Sequence, residues 1–73
     1  MDAQQTIAAV GQEIRKRRTA LGLSQDRFAD SIGMHRAYFA AIERGEKNVT
    51  ITTLVRVADG LACSAADLFV GVT

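Results

Sequence analysis

In the run Arg36-Ala37-Tyr38-Phe39-Ala40-Ala41-Ile42-Glu43-Arg44, a helical reading puts Phe39 and Ile42 on one side and Arg36, Ala37, Ala40, Ala41 and Arg44 on the other. A helix that only packs has no use for that second face. Small residues let a helix backbone sink deep into a DNA major groove, and an alanine methyl can touch the methyl of thymine. An arginine can give guanine O6 and N7 two parallel hydrogen bonds. The chemistry indicated is the reading of base edges, with Arg36, Ala37 and Ala40 as readers.

Other chemistries lack their residues. The 73-residue chain has one cysteine, Cys63, and one histidine, His35, too few for a zinc-ligand set or an internal disulfide. His35 has no nucleophile at a suggestive spacing, no glycine-rich phosphate loop is present, and so small a domain offers little pocket. No enzyme activity, metal, cofactor or small-molecule ligand is expected. The net charge is only +1, but it is unevenly spread: eight of the nine basic residues precede Val49, among them the run Arg15-Lys16-Arg17-Arg18 and then Arg27, Arg36, Arg44 and Lys47. From Val49 onward the only charges are Arg56, Asp59 and Asp67. A part suited to a polyanion therefore adjoins a nearly neutral, apolar part.

The elements that must carry these residues are helices. A hydrophobic fraction of 48% with 23% charged residues excludes disorder, and alanine is abundant while proline is absent. Residues 1–73 are expected to form a single all-α domain. An apolar residue, a cap, and an apolar residue four positions past the cap recur at Leu23/Ser24/Phe28, Met34/His35/Phe39, Val49/Thr50/Leu54 and Cys63/Ser64/Leu68. This is the hydrophobic staple of a helix start, and Asp67 adds a capping box to the last copy. A longer helix precedes them, with Ile7, Val10, Ile14 and Leu21 on one stripe and Gly22 past its end. Five helices are predicted, over about 5–21, 25–32, 36–44, 51–61 and 65–70.

Arg18 falls on the apolar stripe of the first helix, four residues after Ile14, where a charge needs a partner. Glu43 holds the matching place on the third helix, beside Ile42, which predicts an Arg18–Glu43 ion pair tying the two together. The second and third helices, joined through Gly33, form a helix-turn-helix. Glycine can take the positive φ of the turn, Ala29 is small at the crossing, and Phe28, Ile32, Phe39 and Ile42 supply the buried seam.

The stretch from Leu21 to Ser64 resembles the lambda-repressor-like helix-turn-helix family, also called the Cro/C1 or XRE type. The marks are Gln25, Ala29, Gly33, Ile42-Glu43 and Thr50-Ile51-Thr52-Thr53-Leu54. The run from Arg36 to Ile51 also resembles the small controller proteins of restriction–modification systems. The resemblance implies a compact five-helix DNA-binding domain in which Gln25 holds a phosphate and Arg44, Lys47 and Asn48 grip the same backbone. Arg36 and Ala37 would sit where the family reads bases, Tyr38 fits the controller pattern as a further DNA contact, and Arg18 and Glu43 match the family's internal ion pair. Two positions depart from the pattern: His35 replaces the usual hydroxyl or carboxyl cap, and Ala62 stands where a glycine often ends the fourth helix.

The partner expected is double-stranded DNA. Leu61, Leu68, Phe69 and Val70, on a chain too short to bury them all, predict a homodimer on a near-palindromic operator. No apolar run approaches the roughly 20 residues of a membrane span, and the N-terminus has an acid where a signal peptide needs bases, so a cytoplasmic regulator is expected. Within that reading the chain is a restriction–modification controller. The alternatives are a stand-alone phage-type repressor, or an antitoxin or adaptor module that binds a partner protein and has only weak, unselective affinity for DNA.

Overall fold

Asp2 starts the first helix. Its carboxylate accepts from the Gln5 amide at 2.8 Å while the Gln5 side chain accepts from the Asp2 amide at 2.9 Å, a complete capping box. The computed structural model describes residues 1–72, and in it α1 runs Ala3–Ala20, two residues earlier than the apolar stripe suggested. Helices α2 (Gln25–Ser31), α3 (Arg36–Glu43) and α4 (Ile51–Gly60) follow. Ser24 Oγ accepts from the Arg27 amide and Thr50 Oγ1 from the Thr53 amide, each at 3.1 Å, whereas His35 makes no side-chain cap bond.

The described chain is all-helical, but the fifth element is a single 3-10 turn, Ala66–Phe69, rather than a helix over 65–70. Its start signal is genuine: Ser64 and Asp67 exchange reciprocal bonds of 3.0 and 3.2 Å. The backbone nevertheless closes through three-residue rings, Asp67 to Ser64 and Leu68 to Ala65, both at 3.1 Å. So short a segment cannot repay the cost of an α-helical nucleus, and the tighter winding still turns Leu68 inward.

The core forms around Ile14, Phe28, Phe39, Val57 and Leu68, all fully buried, with the two phenylalanine rings 4.9 Å apart at their centroids. Leu61 is buried among them. Leu61 and Leu68 therefore belong to the core of one chain and cannot form a dimer interface, contrary to the sequence expectation. The 3-10 turn packs back against α1, and that closure hides apolar surface that chain length alone seemed too small to cover. In the other direction, Leu21, read as part of the α1 stripe, is half exposed at the helix end.

Gly11 sets the distance between α1 and α3. A Cβ built on it would lie 2.6 Å from the carbonyl oxygens of both Ile42 and Glu43, closer than any side chain can come. Only a residue without a side chain lets the α1 backbone rest on the end of α3.

After α4 the chain reverses through Ala62, at φ +59°, with the Cys63 amide reaching the Ala58 carbonyl at 3.0 Å. This is the position after the helix cap that glycine usually fills. A left-handed alanine costs about 1–2 kcal/mol, and the extra freedom of glycine in the unfolded chain returns about 0.4–1 of that. Ala62→Gly is expected to stabilise the domain by about 0.5–1 kcal/mol and raise Tm by roughly 2–8 °C. A thermal melt showing no gain would mean that this turn carries no strain.

Candidate nucleic-acid interface

The turn between α2 and α3 is built from backbone geometry first. Gly33 sits at φ +66°, its amide bonding the Asp30 carbonyl at 3.1 Å, and the Met34 amide reaches back to the Ala29 carbonyl at 2.8 Å. These two bonds reverse the chain and leave the carbonyls of Ile32 and Gly33 facing outward. Arg56 on α4 takes both: its Nε donates to Ile32 at 2.9 Å and its Nη2 to Gly33 at 2.6 Å. This planar fork clamps the turn from a third helix. Sequence reasoning missed the role of Arg56, and the available signal was that it is the lone basic residue in the nearly neutral C-terminal part.

A second network fixes α3 relative to α1. Arg18 donates to Glu43 through Nε at 2.7 Å and Nη2 at 3.1 Å, and through Nη1 to the Leu23 carbonyl at 2.7 Å. Gln25 adds a bond from Nε2 to Glu43 Oε1 at 2.8 Å. Both charged side chains are buried, and among the described residues no buried side-chain polar atom lacks a partner. Geometry this complete offsets the cost of removing two charges from water.

Held in this way, α3 exposes only its first turn. Arg36, Ala37 and Tyr38 face solvent, while Phe39, Ala40, Ala41, Ile42 and Glu43 are all buried. Five consecutive residues at about 100° each pass completely around a helix, so the C-terminal half of α3 is enclosed on every side. Ala40, expected to read bases, and Ala41 beside it are core residues at 6% exposure and cannot touch DNA. The two-sided wheel drawn from the sequence assumed a single packing partner.

The charged residues are also placed. Arg36 Nε lies 3.0 Å from Asp26 Oδ1, with both side chains mostly exposed. Arg44 grips Glu46 with two bonds, at 2.9 and 3.0 Å, and this hydrogen bonding holds the Glu46 carboxyl below the usual carboxylate range. An anion approaching Arg44 must therefore displace an ionised carboxylate. Gln25 and Arg44 line one open cleft of about 420 Å³ together with Gln12 and Arg15. Gln25 spends one amide hydrogen on Glu43 and keeps the second. Lys47 and Asn48 are exposed on the loop beyond and border a separate, mostly apolar cavity of about 180 Å³. The structure thus gathers Arg36, Ala37 and Tyr38 on one turn and Gln25 with Arg44 in one cleft, while Lys47 and Asn48 stand apart.

Among the described residues no group of histidine, cysteine and carboxylate side chains is arranged to hold a metal ion, and no helix is long and apolar enough to cross a membrane. A helix-turn-helix family profile matches residues 14–68. Control protein C.SmaI of Serratia marcescens is 37% identical over 93% of this chain and 77% of its own length, and C.MunI of a Mycoplasma species is 37% identical over 78% and 74%. Among solved structures, the restriction–modification controller protein C.AhdI of Aeromonas hydrophila superposes with a TM-score of 0.82 at 36% identity, covering 86% of this chain and 96% of its own. The clp gene regulator ClgR of C. glutamicum superposes at 0.86 with 27% identity, covering 90% and 85%. The profile, the relatives and the geometry of α2 and α3 agree: the chain belongs to the helix-turn-helix family of Cro/C1 type, a family of DNA-binding transcriptional regulators and not of enzymes.

Proposed function

We propose that this chain is a cytoplasmic, sequence-specific transcriptional regulator that binds a near-palindromic operator as a homodimer and controls restriction–modification genes. The observation that carries the reading is the single exposed turn of α3, where Arg36, Ala37 and Tyr38 face solvent on a helix buried everywhere else. Arg36 reads a guanine, Ala37 allows the backbone close to the base edges, and Tyr38 reads a neighbouring base. Gln25 holds a phosphate, and Arg44, Lys47 and Asn48 grip the same backbone. The likeness to controller proteins supports the subtype. Residues 1–73 act as one DNA-binding domain, with no small-molecule effector.

Arg36 tests the reading. A bidentate arginine–guanine contact is worth about 1–3 kcal/mol of discrimination, so Arg36→Ala is expected to lose about 5- to 150-fold on the operator and far less on a scrambled duplex. Lysine keeps the charge but not the planar fork, so Arg36→Lys should show a measurable operator loss. Titrations must share one salt concentration, because each neutralised phosphate adds about 0.9 to the slope of log affinity against log salt. Equal losses on both duplexes would make Arg36 a backbone contact and leave the sequence-specific reading without its reader.

The dimer keeps only Phe69 and Val70 of the residues first expected. With Leu61 and Leu68 in the core, the interface falls to Val70, at 61% exposure, the half-buried Phe69, and the exposed Ile51 and Val55 of α4. A two-fold axis there would set two α3 helices about one DNA turn apart. Sedimentation at micromolar concentration should show a dimer that Val70→Asp converts to monomer. A wild-type chain that stays monomeric even on DNA would sink this assembly.

A further inference from the structure

The ion pair between Arg36 and Asp26 joins the first turn of α3 to the first turn of α2, across the face that the proposed function turns toward DNA. An exposed pair of this kind contributes almost nothing to folding. On a surface assigned to a polyanion, moreover, a carboxylate opposes binding. Its geometry points to another use. Asp26 makes an ion contact beside the guanidinium, with Oδ1 3.0 Å from Nε but no aligned hydrogen bond, and Nη1 and Nη2 at the guanidinium tip likewise make no hydrogen bond among the described residues. That tip is the edge which presents two parallel N–H groups to guanine O6 and N7.

We propose that Asp26 is the positioning residue for Arg36: it presents the guanidinium tip-first to guanine and, by its negative charge, weakens binding wherever that guanine is missing. The inference rests on the reading of Arg36 as a base reader. The two effects act together. Arginine loses side-chain freedom on binding, and a partner that already restrains it reduces that loss on the correct sequence. On an incorrect sequence the arginine gains no base contact, while the Asp26 carboxylate still faces the phosphates. Discrimination rises from both sides, and Asp26 need not touch a base.

The test compares two duplexes at one salt concentration: one enriched by the wild-type chain from a randomised library, and the same bases scrambled. Asp26→Ala should bind the scrambled duplex more tightly and the enriched one no better, so the ratio of the two affinities falls about 2- to 10-fold. Asp26→Glu, which keeps the charge and a reach to Nε, should recover part of that ratio. In an Arg36→Ala background, removing Asp26 should raise affinity for both duplexes alike and leave the ratio where it was. If Asp26→Ala in the wild-type background raises both affinities equally, Asp26 is only a repelling charge and the proposal falls, while Arg36 keeps its role. If Arg36→Ala itself costs the same on both duplexes, the base-reading assignment falls and takes this inference with it. Thermal melts within a degree or two of wild type, expected from the weakness of an exposed pair, would show that neither result reflects misfolding.

Discussion

Glu43→Ala is expected to cost about 3–5 kcal/mol, because it leaves the buried guanidinium of Arg18 without its counter-charge. A domain of 73 residues holds roughly 4–11 kcal/mol in all, so the loss is a large share of the total. Tm should fall by about 12–40 °C. The effect comes from an orphaned charge rather than from a valuable attraction, and a double variant separates the two. With Arg18→Met added, the charge is gone from both sides, and the pair of changes should cost much less than their sum. Some loss will remain, since the Leu23 carbonyl and the Gln25 amide also lose a partner. Denaturant unfolding of the two single variants and the double variant measures this. A loss below about 1 kcal/mol for Glu43→Ala would mean that water reaches Arg18 and that the pair behaves as a surface bridge.

Gly11→Ala sets two effects against each other. Helix propensity favours alanine over glycine by about 1 kcal/mol in the middle of a helix such as α1. Against it stands the contact of 2.6 Å that the new Cβ would make with two backbone carbonyl oxygens and 3.0 Å with a carbonyl carbon. Backbone cannot swing aside as a side-chain tip does, so α1 and α3 must separate and loosen the Arg18–Glu43 network between them. An overpacking cost of about 2–3 kcal/mol, less the helix gain, leaves an expected net loss of about 1–2 kcal/mol. A net gain in a urea titration would show that α1 slides freely and that Gly11 does not set the spacing.

Much of this arrangement is legible without coordinates because it depends on signals a few residues apart. Ser24 and Thr50 announce their helices by local capping chemistry, and Gly33 marks a turn that needs positive φ. Arg18 and Glu43 are readable over 25 positions because a charge on an apolar stripe requires a partner, and few partners were suitably placed. What the sequence hides is set by the third dimension. Nothing local distinguishes Gly11 from a tolerated helical glycine, since its reason lies on another helix. Arg56 reads as an ordinary surface charge until the turn it clamps has formed. Ala40 and Leu68 were misplaced for one shared reason: periodicity shows which side of an element is apolar, but not how many neighbours will enclose it. The start of α1 went unread: Asp2 and Gln5 form its capping box, but the polar residues after Asp2 carry no apolar stripe to mark a helix.

The enclosure of α3 also bears on how such a regulator can change. Five of its eight residues are committed to the interior, and substitution there risks the fold before it alters any preference for DNA. The three exposed positions, Arg36, Ala37 and Tyr38, carry no such obligation, since exposed side chains can usually be exchanged for a few tenths of a kcal/mol. On the proposed reading, three adjacent sites thus form a small alphabet, written once per chain and detached from the scaffold that displays it. A drift in target sequence could be matched by one or two substitutions there, with no passage through unstable intermediates. A library randomised at those positions should yield folded proteins in most clones, and new binding preferences in some of them.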